Sequence, residues 1–353
     1  MFQNPALDNH ELVAFANDEA SGLQAIVAIH NTARGPALGG CRVWTYEDDT
    51  AALTDALRLS RGMTFKAAMA DLPLGGGKSV VMVPHRAAKT RAMFEALGRT
   101  VHSLSGRYIV AEDVGSSPDD MAAIRLETEH VTGLLPEHGG VGDPSPTTAL
   151  GGFIALRATA AALGRDLCGL HVAVQGLGNV GYGLAQRLCE AGARLTVADI
   201  HRDAVDRAVN ELGATAVSPD QIVEVEADIF SPNALGAVLN ARTIPSLKVA
   251  AVAGCANNQL ETPEDGKRLN TRGILYAPDY VVNAGGLVKM CSEYYSWDQD
   301  EVDRRVDAIG ERLFEVFRLA DEEDAPTDQV ADAMAKARIS PAATAIEPLL
   351  SPH

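Results

Sequence analysis

The chain has 353 residues, 46% hydrophobic and 22% charged, which excludes disorder and fibrous repeats and leaves length for two domains. Its 47 acidic and 30 basic side chains give a formal charge of −17, a surface that repels phosphate backbones and argues against nucleic-acid binding. No run approaches the ~20 apolar residues of a membrane-spanning helix, and the first residues carry neither a basic stretch nor an apolar leader.

In chain order, Leu23–His30 is short and β-branched and predicts a buried strand. Gly35–Gly40, with its Gly and Pro, is expected to be a turn-rich loop. Thr50–Arg61 predicts a helix with Leu53, Leu57 and Ser60 on one face. Ser79–Val83 predicts a strand ended by Pro84, Arg91–Leu104 a helix and Tyr108–Ala111 a strand. Gly139–Pro146 is too rich in Gly and Pro to hold a regular element and reads as a hinge. Thr147–Leu163 predicts an Ala-rich helix. Beyond it, Val172–Gln175, Tyr182–Ala191, Leu195–Asp199 and Ala204–Leu212 alternate strand and helix, the pattern of a parallel, doubly wound sheet. Gln299–Ala320 predicts a long helix with Val302, Val306, Ile309, Leu313, Val316 and Ala320 in a stripe. That stripe is either an oligomer seam or a face packed on its own core.

Five cysteines, Cys41, Cys168, Cys189, Cys255 and Cys291, are odd in number and lack CxxC spacing. They fit reduced thiols in a cytoplasm better than a disulfide framework or a zinc site. The nine histidines form no HExxH, so no metal is expected.

Gly176-Leu177-Gly178-Asn179-Val180-Gly181 follows a predicted strand and opens a predicted helix, the context a dinucleotide fingerprint requires. Gly176 permits the turn, Gly178 lets backbone approach a pyrophosphate, and Gly181 lets helix and strand pack closely. The N–H groups at Asn179 and Val180 would meet the phosphates. Asp199 follows at close to the spacing of ~20 residues expected of the ribose-binding acid, which favours NAD over NADP; Arg202 nearby works against that preference.

Lys66 and Lys78 stand in apolar and glycine-rich surroundings, which suggests a lined cleft rather than two snorkelling surface side chains. Gly75-Gly76-Gly77-Lys78-Ser79 resembles the end of a phosphate-binding loop, but the position that would need glycine is Leu72, so a nucleotide kinase is disfavoured. The glycines would instead let a substrate approach the backbone. Glu112-Asp113 ends a predicted strand, where α/β proteins place their chemistry, although a turn acid is the plainer alternative.

Taken together, these segments resemble the Glu/Leu/Phe/Val amino-acid dehydrogenase family, and the likeness runs over nearly the whole chain. It is carried by Gly35–Gly40, Gly62–Lys66, Gly75–Lys78, Ala111–Gly115, Gly176–Gly181, Asp228–Pro232, Ala253–Leu260 and Tyr276–Gly286. The resemblance implies a two-domain α/β protein. An N-terminal substrate-binding and oligomerisation domain, residues 1–138 joined by 325–353, would precede a Rossmann-type NAD-binding domain, residues 147–324. It also implies a cytoplasmic homo-oligomer, a dimer or octamer, that oxidatively deaminates an L-amino acid with NAD and runs the reverse amination.

Carried over by resemblance, Lys66 binds the substrate carboxylate, Lys78 is the catalytic lysine, and Asp113 exchanges protons with the substrate nitrogen. Gly39 and Gly40 lie near the carboxylate and Asn258 contacts substrate. Thr148, Ala253 and Asn283 join the cofactor site. Closure at the Gly139–Pro146 hinge would exclude water. Leu38, Ala111, Thr132, Leu287 and Met290 would line the side-chain pocket. Relatives acting on glutamate carry lysine at the Leu38 position, and burying a carboxylate against leucine is costly, so glutamate is disfavoured. The Ala111–Gly115 segment resembles the branched-chain enzymes, which points to leucine, valine or isoleucine, with phenylalanine the alternative. A non-catalytic NAD-binding sensor on the same fold is the more distant alternative, one with no need for Lys66, Lys78 and Asp113 together.

Overall fold

The computed structural model describes residues 3–340. Its chain divides into two compact units. One holds the described residues up to Asp143, with Met290–Trp297 and residues 334–340; the other holds Pro144–Lys289 and Asp298–Ala333. Residues 341–353, the end of the expected tail, lie outside the described residues.

In the first unit, β1 (Leu12–Asp18), β2 (Leu23–Asn31), β3 (Ala37–Trp44), β4 (Gly75–Met82) and β5 (Tyr108–Glu112) form one sheet in the order β1-β2-β4-β3-β5. β1 and β4 flank β2 antiparallel, whereas β4, β3 and β5 run parallel. Three helices accompany it: α1 (Asp49–Met69), α2 (Arg91–Ser103) and α3 (Pro118–Arg125). Leu23, Ala25, Val27 and Ile29 of β2 join Phe94, Leu97 and Val101 of α2 in one core, while Ile26 and Ala28 join Leu53, Ala56 and Leu57 of α1 in another. A strand covered on both faces reads as a continuous apolar run because alternate residues serve different layers.

The Gly35–Gly40 segment is not the expected loop. From Ala37 it is β3, paired on both sides inside the sheet. Glycine weakens a strand by itself, but here the missing side chains admit neighbours. A Cβ on Gly39 would collide with the Gly77 carbonyl, and one on Gly40 would sit 2.6 Å from Asp113 Cβ. The Gly75–Gly77 run also has a different reason from the one expected. It begins β4, and Cβ atoms there would collide with the Asn31 carbonyl, the Thr64 amide and the Tyr108 ring. The glycines make room for the protein's own packing.

The second unit carries α4 (Ser145–Ala162), then β6 (His171–Gln175), α5 (Asn179–Glu190), β7 (Arg194–Ala198), α6 (Arg202–Leu212), β8 (Thr215–Ala216), β9 (Ile229–Pro232), β10 (Ala251–Val252), α7 (Pro263–Thr271) and β11 (Leu275–Tyr276). Its six strands are all parallel, in the order β11-β10-β9-β6-β7-β8, the doubly wound sheet the alternation predicts. After α8 (Asp279–Val282) and α9 (Gly285–Tyr295), α10 (Gln299–Glu323) lies along α4, with Ile309 beside Gly151 and Gly310 beside Ile154. Its apolar stripe is therefore core of its own unit, not a free seam. α11 (Thr327–Ile339) ends the described chain. No helix among the described residues is long and apolar enough to cross a membrane.

A histidine pair, His30 buried and His10 half-buried, braces α1. His30 Nδ1 lies 2.8 Å from Thr64 Oγ1, and its ring meets His10 edge-on at 4.8 Å between centroids. Burial, with His10 adding to it, pushes the His30 pKa down to about 4. The unfolded chain therefore takes up this proton first, and His30 supports the fold fully only above its ordinary pKa of 6.5. Urea unfolding should show stability falling by on the order of 3 kcal/mol as pH drops from neutrality to about 4, with His30→Gln flattening most of that slope. An unchanged slope in His30→Gln would refute this.

Candidate active site

β3, β4 and β5 bring the charged centre of the first unit together. Lys78 occupies β4 with its side chain only 6% exposed, and Nζ donates to Asp113 Oδ2 at 2.6 Å. Asp113 follows the last residue of β5, and Gly40 on the paired strand leaves it room. A small turn fixes it, in which its amide donates to Ser116 Oγ and its carbonyl accepts from the Ser116 amide and hydroxyl. Arg42 Nε donates to the same Oδ2 at 3.2 Å, and Arg42 Nη1 donates to Asp55 at 2.9 Å. Tyr46 Oη also donates to Asp55, at 2.7 Å. Burial alone would raise the Asp113 pKa; the charges of Lys78 and Arg42 outweigh it and hold the carboxyl below the usual range.

Lys66 lies in the last turn of α1, half-buried, two residues beyond the Thr64 amide that packs on Gly76. Lys78 follows Gly76 by two residues along β4, so one packing contact sets both lysine-bearing elements. Cys41 is buried and its thiol is pushed up to about 12 by that burial, which leaves it without nucleophilic use. Leu38 and Ala111 are buried on β3 and β5. Thr132 Oγ1 donates to the Met290 carbonyl at 3.1 Å, and Met290 Sδ lies beside Gly133. Of the five expected pocket residues, Leu38, Ala111, Thr132 and Met290 belong to this unit and Leu287 to the other.

In the second unit the glycine-rich turn links β6 to α5. Gly176 has φ +91°, a left-handed conformation, and a Cβ there would meet Ala234 at 2.9 Å. A Cβ on Gly181 would collide with the Gly176 carbonyl, whereas Gly178 faces open space. Gly176 thus makes the tight turn and Gly181 the close helix–strand packing that the fingerprint demands. Gly178 caps α5 without a side-chain hydrogen bond, leaving the N–H groups at Asn179 and Val180 for an anion. Asp199 Oδ2 accepts from the Leu177 amide at 2.6 Å and Oδ1 from His201 at 2.7 Å, so the acid also ties down the turn.

Thr148, Cys255, Asn283 and Gly286 gather nearby in the same unit. Thr148 Oγ1 bonds the Pro144 carbonyl and closes on Gly286, while Asn283 Nδ2 donates to the Cys255 carbonyl and to Asn257 Oδ1. Asn283 Oδ1 is buried without a hydrogen-bond partner among the described residues, an acceptor left for a donor from outside the chain. Ala253 is buried at the end of β10, and its amide bonds the Phe230 carbonyl. Asn258 is exposed with φ +53°, its carbonyl accepting from the Ala237 amide. An uncapped helix end, an open glycine and an orphaned amide oxygen fit a dinucleotide.

The family model "Glu/Leu/Phe/Val dehydrogenase, dimerisation domain" matches residues 9–130, and "Glutamate/Leucine/Phenylalanine/Valine dehydrogenase" matches residues 139–201 and 195–345. The chain belongs to the Glu/Leu/Phe/Val dehydrogenase family. It is 48% identical over 344 residues to a leucine dehydrogenase of Geobacillus stearothermophilus, covering 97% of this chain and 94% of that one. It is 47% identical over 319 residues to a phenylalanine dehydrogenase of Lysinibacillus sphaericus, covering 88% and 84%. The crystal structure of an L-tryptophan dehydrogenase from Nostoc punctiforme superposes with a TM-score of 0.84 at 41% identity, covering 94% of this chain and 96% of that one. The protein is an amino-acid dehydrogenase, an oxidoreductase acting on a CH–NH2 group, with the family's two-domain α/β fold and a nicotinamide cofactor.

Sequence reasoning missed Arg42, Asp55 and Tyr46. The available signal was an arginine two residues beyond Gly40, visible only once that segment is recognised as a strand. Because Gly40 is the space Asp113 uses, Gly40→Ala should fold yet displace the carboxylate from Lys78. Turnover should drop roughly hundredfold, checked by kcat against the thermal midpoint. Wild-type kcat in a folded Gly40→Ala variant would refute the close-approach argument.

Proposed function

We propose that the enzyme oxidatively deaminates branched-chain L-amino acids, leucine, valine or isoleucine, with NAD, giving the 2-oxo acid, ammonia and NADH, and runs the reverse amination. The observation that carries this reading is the ion pair of buried Lys78 with half-buried Asp113, in a sheet whose neighbouring pocket position, Leu38, is only 2% exposed and apolar. A distal carboxylate would find no counter-charge at Leu38.

In this reading the Lys66 ammonium binds the substrate carboxylate. Asp113, ionised beside its cations, takes a proton from the substrate ammonium so that the nitrogen lone pair can form the C=N bond as hydride leaves Cα. The nicotinamide, when bound, supplies the acceptor for that hydride. Lys78 in its amine form takes a proton from water, which adds to the iminium carbon; Asp113 then returns a proton to the departing nitrogen and takes one from the new hydroxyl as the C–N bond breaks and the carbonyl forms. Leu38, Ala111, Thr132, Leu287 and Met290 surround the side chain, and Asn258 contacts the substrate.

Gly176, Gly178, Asn179, Val180 and Gly181 hold the pyrophosphate, and Thr148, Ala253 and Asn283 the nicotinamide end. Asp199 accepts from the ribose hydroxyls with the lone pairs its backbone bonds leave over. The preference for NAD over NADP rests on that carboxylate, and is supported by Arg202 extending into solvent toward Asp206 at 3.7 Å. Domain closure near residues 139–146, assembly as a dimer or octamer, and a cytoplasmic location complete the proposal. The assembly is supported by the dimerisation model over residues 9–130 and by Phe15, 52% exposed on edge strand β1.

The test is NADH formation from L-leucine, L-valine, L-isoleucine, L-phenylalanine and L-glutamate, with NADP as a second cofactor. A branched-chain substrate should give the highest kcat/KM, glutamate none, and NAD should exceed NADP. Lys78→Ala should lower kcat by on the order of a thousandfold while leaving NAD affinity near wild type. Phenylalanine giving the highest value would overturn the branched-chain assignment, and near-normal turnover in Lys78→Ala would remove its catalytic role.

A further inference from the structure

Asp113 receives two cations on one oxygen. Lys78 Nζ stands at 2.6 Å and Arg42 Nε at 3.2 Å from Oδ2. Along a second edge of the same guanidinium, Arg42 Nη1 meets Asp55 Oδ2 at 2.9 Å and Oδ1 at 3.3 Å, and Tyr46 Oη holds Asp55 from the other side at 2.7 Å. One planar fork thus bridges two carboxylates, which a lysine ammonium on a flexible stem would not do in fixed geometry. The other groups facing Asp113 are the Cys41 thiol from β3, Glu112 beside it in β5 and the Tyr108 hydroxyl. Burial keeps the thiol and the phenol protonated, so neither adds charge.

The two cations differ in one respect that matters to a proton-transfer centre. A lysine can give up its proton, whereas a guanidinium stays charged at every working pH. In the reading proposed above, on which this inference rests, Lys78 passes through its amine form each turnover. Lys78 must therefore already be an amine while Asp113 takes the proton from the substrate ammonium, so Asp113 has lost its nearer counter-charge when it must act as a carboxylate.

We infer that Arg42 is a positioning residue that supplies Asp113 with a permanent counter-charge, one it shares with Asp55, so that Asp113 remains a base while Lys78 changes protonation. Arg42 needs no contact with substrate or cofactor. Its effect passes through Asp113, so it is read in the pH dependence rather than in binding.

The experiment is the pH dependence of kcat and kcat/KM, measured on the full-length enzyme with NAD and L-leucine, for wild type, Arg42→Gln, Arg42→Lys, Asp55→Asn and Asp113→Asn. Removing a cation next to a carboxylate raises the carboxylate's proton affinity. In Arg42→Gln the acid limb should move up by about one pH unit, an about tenfold loss on that limb with the rate recovering toward alkaline pH. Arg42→Lys should move it less. Asp55→Asn removes a competing anion and should move the limb the opposite way, to lower pH, which a merely structural role for the cluster would not do.

An unshifted limb in a folded Arg42→Gln, or an upward shift in Asp55→Asn, would overturn the inference. Should Arg42→Gln not fold, the sign of the Asp55→Asn shift decides it alone. Asp113→Asn separates the two levels. Full activity there would sink Asp113 as the base, whereas an inactive Asp113→Asn beside an unshifted Arg42→Gln would sink only the role of Arg42.

Discussion

The first unit is organised around a carboxylate that cannot be left alone. Asp113 has a side chain 24% exposed and Lys78 one only 6% exposed, where an unpaired charge would cost several kcal/mol. The sheet answers with alternation: Lys78, Asp113, Arg42 and Asp55 form a chain of opposite charges that sums to zero. Such a network is costly to assemble and more costly to break, because deleting one member strands its neighbour. A buried ion pair is therefore weak evidence for stability as such, but good evidence that charge was needed at that place. Everything near it follows from making that place possible: glycines that let strands close, a turn that fixes Asp113, and a tyrosine ring that fills the space beside Gly77.

Glycine serves opposite ends in the two units. In β3 and β4, Gly39, Gly76 and Gly77 are crowded, and their value is that another part of the chain takes the room of a side chain. In the turn before α5, Gly178 opens on empty space, beside a helix end that no side chain caps. The same residue type thus marks dense packing in one case and open backbone in the other. Only the neighbours across the strand distinguish them, and those come from far along the chain: Thr64 for Gly76, Tyr108 for Gly77, Asp113 for Gly40.

That difference explains which parts were legible in the sequence. The dinucleotide turn is local chemistry, in which strand, glycines and helix are contiguous, so its fold and the jobs of Gly176 and Gly181 could be read directly. The alternation that announces the parallel sheet is likewise local. The Gly35–Gly40 segment was misread because turn composition and crowded-strand composition look alike in one dimension, and nothing in the Gly75–Gly77 run tells that the chain itself fills the room beside it. β1 escaped notice altogether: it is an edge strand with mixed burial, and a short apolar run such as Leu12–Ala16 does not by itself separate a strand from a helix. Arg42 was lost with β3, since an arginine after a loop has no assigned direction, whereas in a strand it shares the face of Gly40. The lysines and Asp113 stood out only through unusual context and resemblance, not through any spacing that fixes chemistry.

Met290 stands on a backbone placed by polar bonds. Met290 is held through its carbonyl by Thr132, one turn before Glu293 accepts from the Leu134 and Val141 amides. Tyr294 meets His130, and Tyr295 Oη donates to the Pro73 carbonyl just ahead of β4. The end of α9 is thus bolted to the segment after β5 and to the approach of the lysine strand. The flexible, polarizable Met290 side chain rides on a fixed main chain. Methionine leaves shape adjustable by rotamer changes, while the anchoring fixes where that adjustable group begins.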